Sequence, residues 1–172
     1  MNKDFLELAE ARYSVRKYSD KPVEQDRLDR ILRAGQVAPT AANSQPQQVY
    51  VLRSAEALAK VRGLTRFHFN APMVLLVCSD GNRSHRISDG HDCGPIDAAI
   101  VTCHMMLEAA DLGLGTCWVR GFNQFDVAEA FGLPEGVEPV AMLLLGYPAA
   151  DSHPWPGAHD KRLPIEETVT YL

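Results

Sequence analysis

Between Pro72 and Ser79-Asp80-Gly81 the chain reads M-V-L-L-V-C, an apolar run from Met73 to Cys78 with no polar residue in alternate positions. Successive side chains of a strand point to opposite faces, so a strand with nothing polar on either face must be covered on both. The run predicts an interior strand with a packing layer above it and another below. A second buried strand is expected over Val140 to Leu145, ended by Gly146-Tyr147-Pro148. At 172 residues the chain has room for one such core and not two, so a single domain over residues 1–172 is expected.

Shorter strands are expected at Val49–Leu52 and Thr116–Val119, and helices at Asp4–Ala11, Lys21 to about Val37, Ala55–Val61 and Asp126–Phe131. Gly94-Pro95 opens a further helix, I-D-A-A-I-V-T-C-H-M-M-L-E-A-A-D-L, which ends at Gly113 and is apolar nearly all round. A helix without a solvent face lies in the middle of a three-layer domain or at a subunit interface. The interface is favoured, because Met105 and Met106 adapt well to such surfaces. From Ala149 the chain becomes proline-rich, and this tail is expected to wrap across a partner subunit.

The net charge of −5 argues against a general nucleic-acid or anionic-membrane binder. The acids near the N-terminus fit no signal peptide, and no apolar run is long enough to span a membrane, so a cytoplasmic protein is expected. The four cysteines form no C-x-x-C and are expected to be reduced thiols. His85, His91, Cys93 and His104 match no structural zinc spacing, and no metal is expected.

Four stretches carry chemistry. In R-Y-S-V-R-K-Y, an extended backbone puts Arg12, Ser14 and Arg16 on one side and Tyr13, Val15 and Lys17 on the other. Two guanidiniums flanking a hydroxyl suit a phosphate, although a solvated edge strand with incidental arginines reads the same residues equally well. Ala38 to Gln47, A-P-T-A-A-N-S-Q-P-Q, offers small side chains, fixed backbone and amides, as a floor for a flat ligand or as an ordinary polar loop. In G-L-G-T-C-W-V-R-G-F, Gly113 and Gly115 serve a helix stop and a strand start, which leaves Arg120-Gly121-Phe122 free to face a ligand. Lys161-Arg162 is the tail's only basic pair, able to complete an anion site or simply to carry surface charge. Phe67 and Phe69, in L-T-R-F-H-F-N, could cover a ligand or merely a core edge, and the core is the favoured use.

Taken together, R-Y-S-V-R, A-P-T-A-A-N-S-Q-P, L-G-L-G-T-C-W-V-R-G-F, L-G-Y-P and K-R-L-P resemble, in this order, the nitroreductase family of FMN-dependent oxidoreductases. The resemblance implies an α+β sandwich with a central mixed sheet flanked by helices, in an intertwined homodimer whose C-terminal tail reaches the partner. It implies FMN as cofactor, with NADH or NADPH giving hydride to flavin N5 and a nitroaromatic or quinone taking the electrons in a second half-reaction. No side chain is implied as catalytic. Cofactor contacts are implied for Arg12, Tyr13, Ser14, Arg16 and Arg162 around the phosphate, and for Pro39, Thr40, Ala41 and Asn43 from the second subunit. Val119, Arg120 and Gly121 match the stretch addressing the reactive side of the ring.

Three departures stand out. Only the loop Asp80 to Cys93 fills the place of a longer helical insertion. The pyrimidine-edge positions match Leu64 and Phe67, with Arg66 and Asn70 as substitutes. Arg120 replaces the family's commoner Glu, which makes the local field more positive and favours an anionic reduced flavin. A flavin-binding redox sensor or carrier, or a non-reductive flavin enzyme, are the alternative functions.

Overall fold

The computed structural model describes residues 4–172. The apolar run becomes strand β2 (Met73–Asp80), all eight residues of which are buried, between β1 (Gln47–Leu52) and β4 (Val137–Gly146). Strand β3 (Gly115–Val119) pairs with the far side of β4, giving the order β1-β2-β4-β3.

Alternation along β2 and β4 divides the core in two. Leu75, Val77, Leu143 and Leu145 pack on one face against Leu28 and Ile31 of helix α2 (Gln25–Gln36) and Val101 and Met105 of helix α4 (Gly94–Asp111). Val74, Leu76, Met142 and Leu144 pack on the other against Val61 of helix α3 (Ala55–Leu64) and Val127 of helix α5 (Gln124–Phe131). Helix α1 (Phe5–Ala11), capped by the Asp4 carboxylate on the Leu6 N–H at 2.8 Å, lies against α4. The result is an α+β fold of three layers, with the sheet in the middle.

The sheet is antiparallel throughout, where a mixed sheet is the expectation from the resemblance. Leu52 pairs with Val74, so residues 53–73, including α3, leave and re-enter the sheet at one end and β2 must run back against β1. Parallel pairing survives only as an isolated bridge between Ser14 and Thr116.

Several boundaries differ from expectation, among them the end of α3 at Leu64 and the starts of α5 at Gln124 and β1 at Gln47; two further cases are α2 and β4. Helix α2 begins after Glu24, whose own backbone is extended, rather than at Lys21-Pro22. The Tyr147 hydroxyl donates to the Glu24 carboxylate at 2.6 Å and, with Lys21 3.2 Å from the other oxygen, depresses its pKa to about 2. Strand β4 starts three residues early, where exposed Glu138 interrupts the apolar pattern and Val140 is skipped in the register opposite Val77 and Cys78.

Helix α4 owes its burial on one side to this chain's own sheet. Asp97, Ala98, Val101, Thr102, Met105 and Ala109 are buried, and Arg30 of α2 reaches Glu108 at 2.8 Å. Its remaining side, with Ile100, Cys103 and Leu107, lines an open groove shared with Phe5 and Leu8 of α1. No helix among the described residues is long and apolar enough to cross a membrane.

Candidate functional site

The segment R-Y-S-V-R is fixed beside β3 by its central valine. Val15 is 2% exposed, and its N–H donates to the Thr116 carbonyl at 2.8 Å. Gly115 leaves the room that Val15 fills, since a Cβ there would lie 2.5 Å from Val15 Cγ2. With Val15 turned inward, the extended backbone sends Arg12, Ser14 and Arg16 the other way, into a cleft of about 710 Å³.

The cleft runs along β3. Ser14 rests opposite Thr116, and Arg120 lies four residues further on, about 13 Å at a strand's rise per residue. Cys117, Trp118 and Val119 form the wall between, and Arg120 and Gly121 close the far end. The Thr65 hydroxyl donates to the Gly121 carbonyl at 2.7 Å and so brings the 64–70 loop alongside. Phe67 then packs so closely that a Cβ on residue 121 would meet its ring at 2.6 Å.

Arg16 sits between two rings, 5.8 Å from the centroid of Phe69 and 5.4 Å from that of Trp155, and its guanidinium donates to the Ser14 carbonyl at 3.2 Å. Stacking of this kind orients a guanidinium without neutralising it. Arg12, Arg16, Arg120 and Arg162 all line the cleft, no carboxylate does, and none of the four makes an ion pair with a described residue. In a chain of net charge −5 this is a local concentration of positive charge. Burial pushes the Cys117 thiol up, only partly offset by Arg16, Ser14 and Arg12, so it is an uncharged part of the wall.

Of the residues singled out in the sequence, Arg12, Ser14, Arg16, Val119, Arg120, Gly121 and Arg162 thus share one cleft. Tyr13 does not line it. The same alternation that presents Arg12 and Ser14 turns Tyr13 away, and its hydroxyl donates to Ser152 Oγ at 3.3 Å while its ring meets His159 edge-on. Pro39, Thr40, Ala41 and Asn43 also lie outside the cleft, on the α2 and α4 side of the sheet, where the Ala41 N–H donates to the buried Asp97 carboxylate at 2.9 Å. Ala42, Asn43 and Gln45 there take positive φ. Of the pyrimidine-edge candidates, Phe67 lines the cleft, Arg66 stacks on the Phe67 ring at 4.7 Å, Leu64 packs into the core and Asn70 is exposed.

Sequence reasoning favoured the core for Phe67 and Phe69 and missed the lining that the tail supplies. Phe67 and Phe69 reach the cleft as well as the core, and Trp155, Ala158 and His159 come from the tail. The first half of the tail packs on this chain's own N-terminal segment. Asp151 pairs with Lys17 at 2.7 Å, Ser152 with Tyr13, and Trp155 with Arg16, because the N-terminal segment offers partners that the tail's polar and aromatic groups can satisfy. A tryptophan between two prolines was the available signal. Residues 163–172 are exposed throughout.

A family model described as the nitroreductase family matches residues 9–66 and 62–147. FMN reductase (NAD(P)H) of Bacillus subtilis strain 168 is 34% identical over 195 aligned residues, covering 100% of this chain and 76% of the relative. A solved nitroreductase family protein from Clostridium difficile 630 is 39% identical with a TM-score of 0.91, over 98% of each chain. A structure from Exiguobacterium sibiricum 255-15, solved in complex with FMN, shares the fold at a TM-score of 0.84 and 22% identity, over 100% of this chain and 99% of that one.

Proposed function

The chain belongs to the nitroreductase family and is an NAD(P)H-dependent FMN oxidoreductase; from that premise we propose that the cleft along β3 holds FMN and that the acceptor is a nitroaromatic, a quinone or a similar compound. The observation that carries this reading is the cleft itself: about 710 Å³, aromatic-walled, with guanidiniums from three segments and no acidic side chain. That donor set fits a flat heteroaromatic group bearing a phosphate.

Arg12, Ser14, Arg16 and Arg162 hold the phosphate, and Val119, Arg120 and Gly121 lie along the ring, with backbone N–H groups as donors where Gly121 lacks a side chain. When bound, FMN supplies the redox chemistry, accepting hydride from NAD(P)H and giving electrons to the acceptor in alternate half-reactions. The protein's residues bind, orient and set the local field. No side chain is required as a proton donor.

A second copy of the chain completes the site in this reading. Phe5 is exposed at the α1–α2–α4 groove, Leu6, Val37 and Ile96 are exposed elsewhere on or next to these helices, and Leu163, Ile165, Val169, Tyr171 and Leu172 are exposed at the end of the tail. A homodimer covers these surfaces and brings Pro39, Thr40, Ala41 and Asn43 of one protomer to the flavin of the other.

Steady-state oxidation of NADH and of NADPH by FMN-loaded protein, with nitrofurazone or menadione as acceptor, tests the reading. Acceptor-dependent turnover with parallel double-reciprocal plots is expected. Flavin-loaded protein that turns over neither nucleotide with either acceptor would leave the sensor or carrier role instead.

A further inference from the structure

Phosphate binding does not use all of the cleft's positive charge. Arg12, Ser14 and Arg16 gather at the Thr116 end of β3, whereas Arg120 stands at the opposite end, about 13 Å along the strand. A phosphate held at the first end therefore leaves the Arg120 guanidinium unneutralised. That guanidinium is held in place by neutral groups only. It donates to Gln124 Oε1 at 3.1 Å and to the Phe122 carbonyl at 3.5 Å, and stacks on the Phe122 ring at 4.9 Å. Arg66, on the loop that Thr65 ties to Gly121, does not itself line the cleft but stacks on Phe67, which does, and it too has no carboxylate partner among the described residues.

A guanidinium held at the far end of a cleft attracts an anion, and its planar donor edge suits a carboxylate. Resting on the flavin reading above, we propose that Arg120 selects acceptors that carry a carboxylate beside the aromatic ring. Arg120 acts on binding and orientation of the acceptor. The preference is carried by charge, so it weakens with ionic strength.

The test uses FMN-loaded protein and two non-reducible probes of the same shape, benzoate and benzamide, titrated at low salt while the change in the flavin's visible absorption is followed. Benzoate is expected to bind about tenfold more tightly than benzamide, the return from one charge-assisted contact. Arg120→Gln should bring the two dissociation constants to within about twofold, and Arg120→Lys, which keeps the charge but loses the planar fork, should restore part of the preference. The ratio of kcat/KM for 4-nitrobenzoate over 4-nitrobenzamide should follow the same order in the three proteins. Equal affinities in the wild type, or a preference untouched by Arg120→Gln, would overturn the proposal and leave the flavin reading standing. Failure of the wild type to bind FMN would overturn the flavin reading and this proposal with it.

Discussion

Replacing Arg16 with alanine is expected to weaken FMN binding by tenfold or more. A charge-assisted hydrogen bond to a phosphate contributes about 1.5–3 kcal/mol, and Arg16 is not the only cation at that end of the cleft, so the loss is partial rather than complete. The substitution removes more than charge. Arg16 fills the space between Phe69 and Trp155, and without it the tail loses the contact that holds Trp155 over the cleft. Quenching of FMN fluorescence on titration with apoprotein gives the dissociation constant. Lys60→Ala serves as the comparison, since Lys60 is a surface residue of α3 that pairs with Glu56 and lines neither the cleft nor the α1–α2–α4 groove. An Arg16→Ala protein with wild-type affinity for FMN would mean that R-Y-S-V-R is a solvated edge segment with incidental arginines.

Gly115→Ala is expected to damage fold and cofactor binding together. The backbone at 115 is not in the left-handed region, so alanine is acceptable there as far as the chain is concerned. The obstacle is Val15, whose Cγ2, Cβ and Cγ1 would lie 2.5, 2.8 and 3.0 Å from the new carbon. A β-branched side chain that is 2% exposed has no free rotamer to retreat into, so R-Y-S-V-R must shift away from β3. Overpacking of this kind costs about 1–3 kcal/mol, and in a chain of this size each kcal/mol lowers Tm by roughly 2–4 °C. Moving Val15 also moves Ser14 and Arg16, so FMN affinity should fall with Tm. Gly63→Ala is the contrasting case: nothing lies within 4 Å of a Cβ there, and a helical alanine should leave Tm unchanged or slightly raised. A Gly115→Ala protein as stable as the wild type, with FMN affinity intact, would mean that Val15 does not anchor the segment.

The layers were legible because burial writes itself into composition. Met73–Cys78 is apolar at every position and became the interior strand; the near-uniform apolarity of Ile96–Leu112 marked a helix but favoured a subunit interface, whereas one of its sides packs on this chain's own sheet. The start of β4 was not legible, since Glu138 points outward and an alternating stretch beside a bulge carries no continuous signal. Strand direction was equally hidden. It follows from where residues 53–73 re-enter the sheet, a property of the path rather than of any residue.

In the site, the positions read by backbone alternation were found: Arg12, Ser14 and Arg16 do share a side, and the same rule explains why Tyr13 does not join them. What alternation cannot supply is long-range company. Trp155 and His159 meet the N-terminal segment from more than a hundred residues away, and only the folded chain brings them there. Phe67 and Phe69 illustrate another gap, because an aromatic ring at the edge of a core can line a cleft with the face it does not bury.

The most direct measurement is the visible absorption spectrum of the protein purified without added flavin, followed by denaturation and chromatography of whatever is released. A yellow protein releasing FMN at close to one per chain is the expected result. A colourless protein that also fails to take up added FMN would contradict the assignment of the β3 cleft as a cofactor site, whatever the likeness of fold.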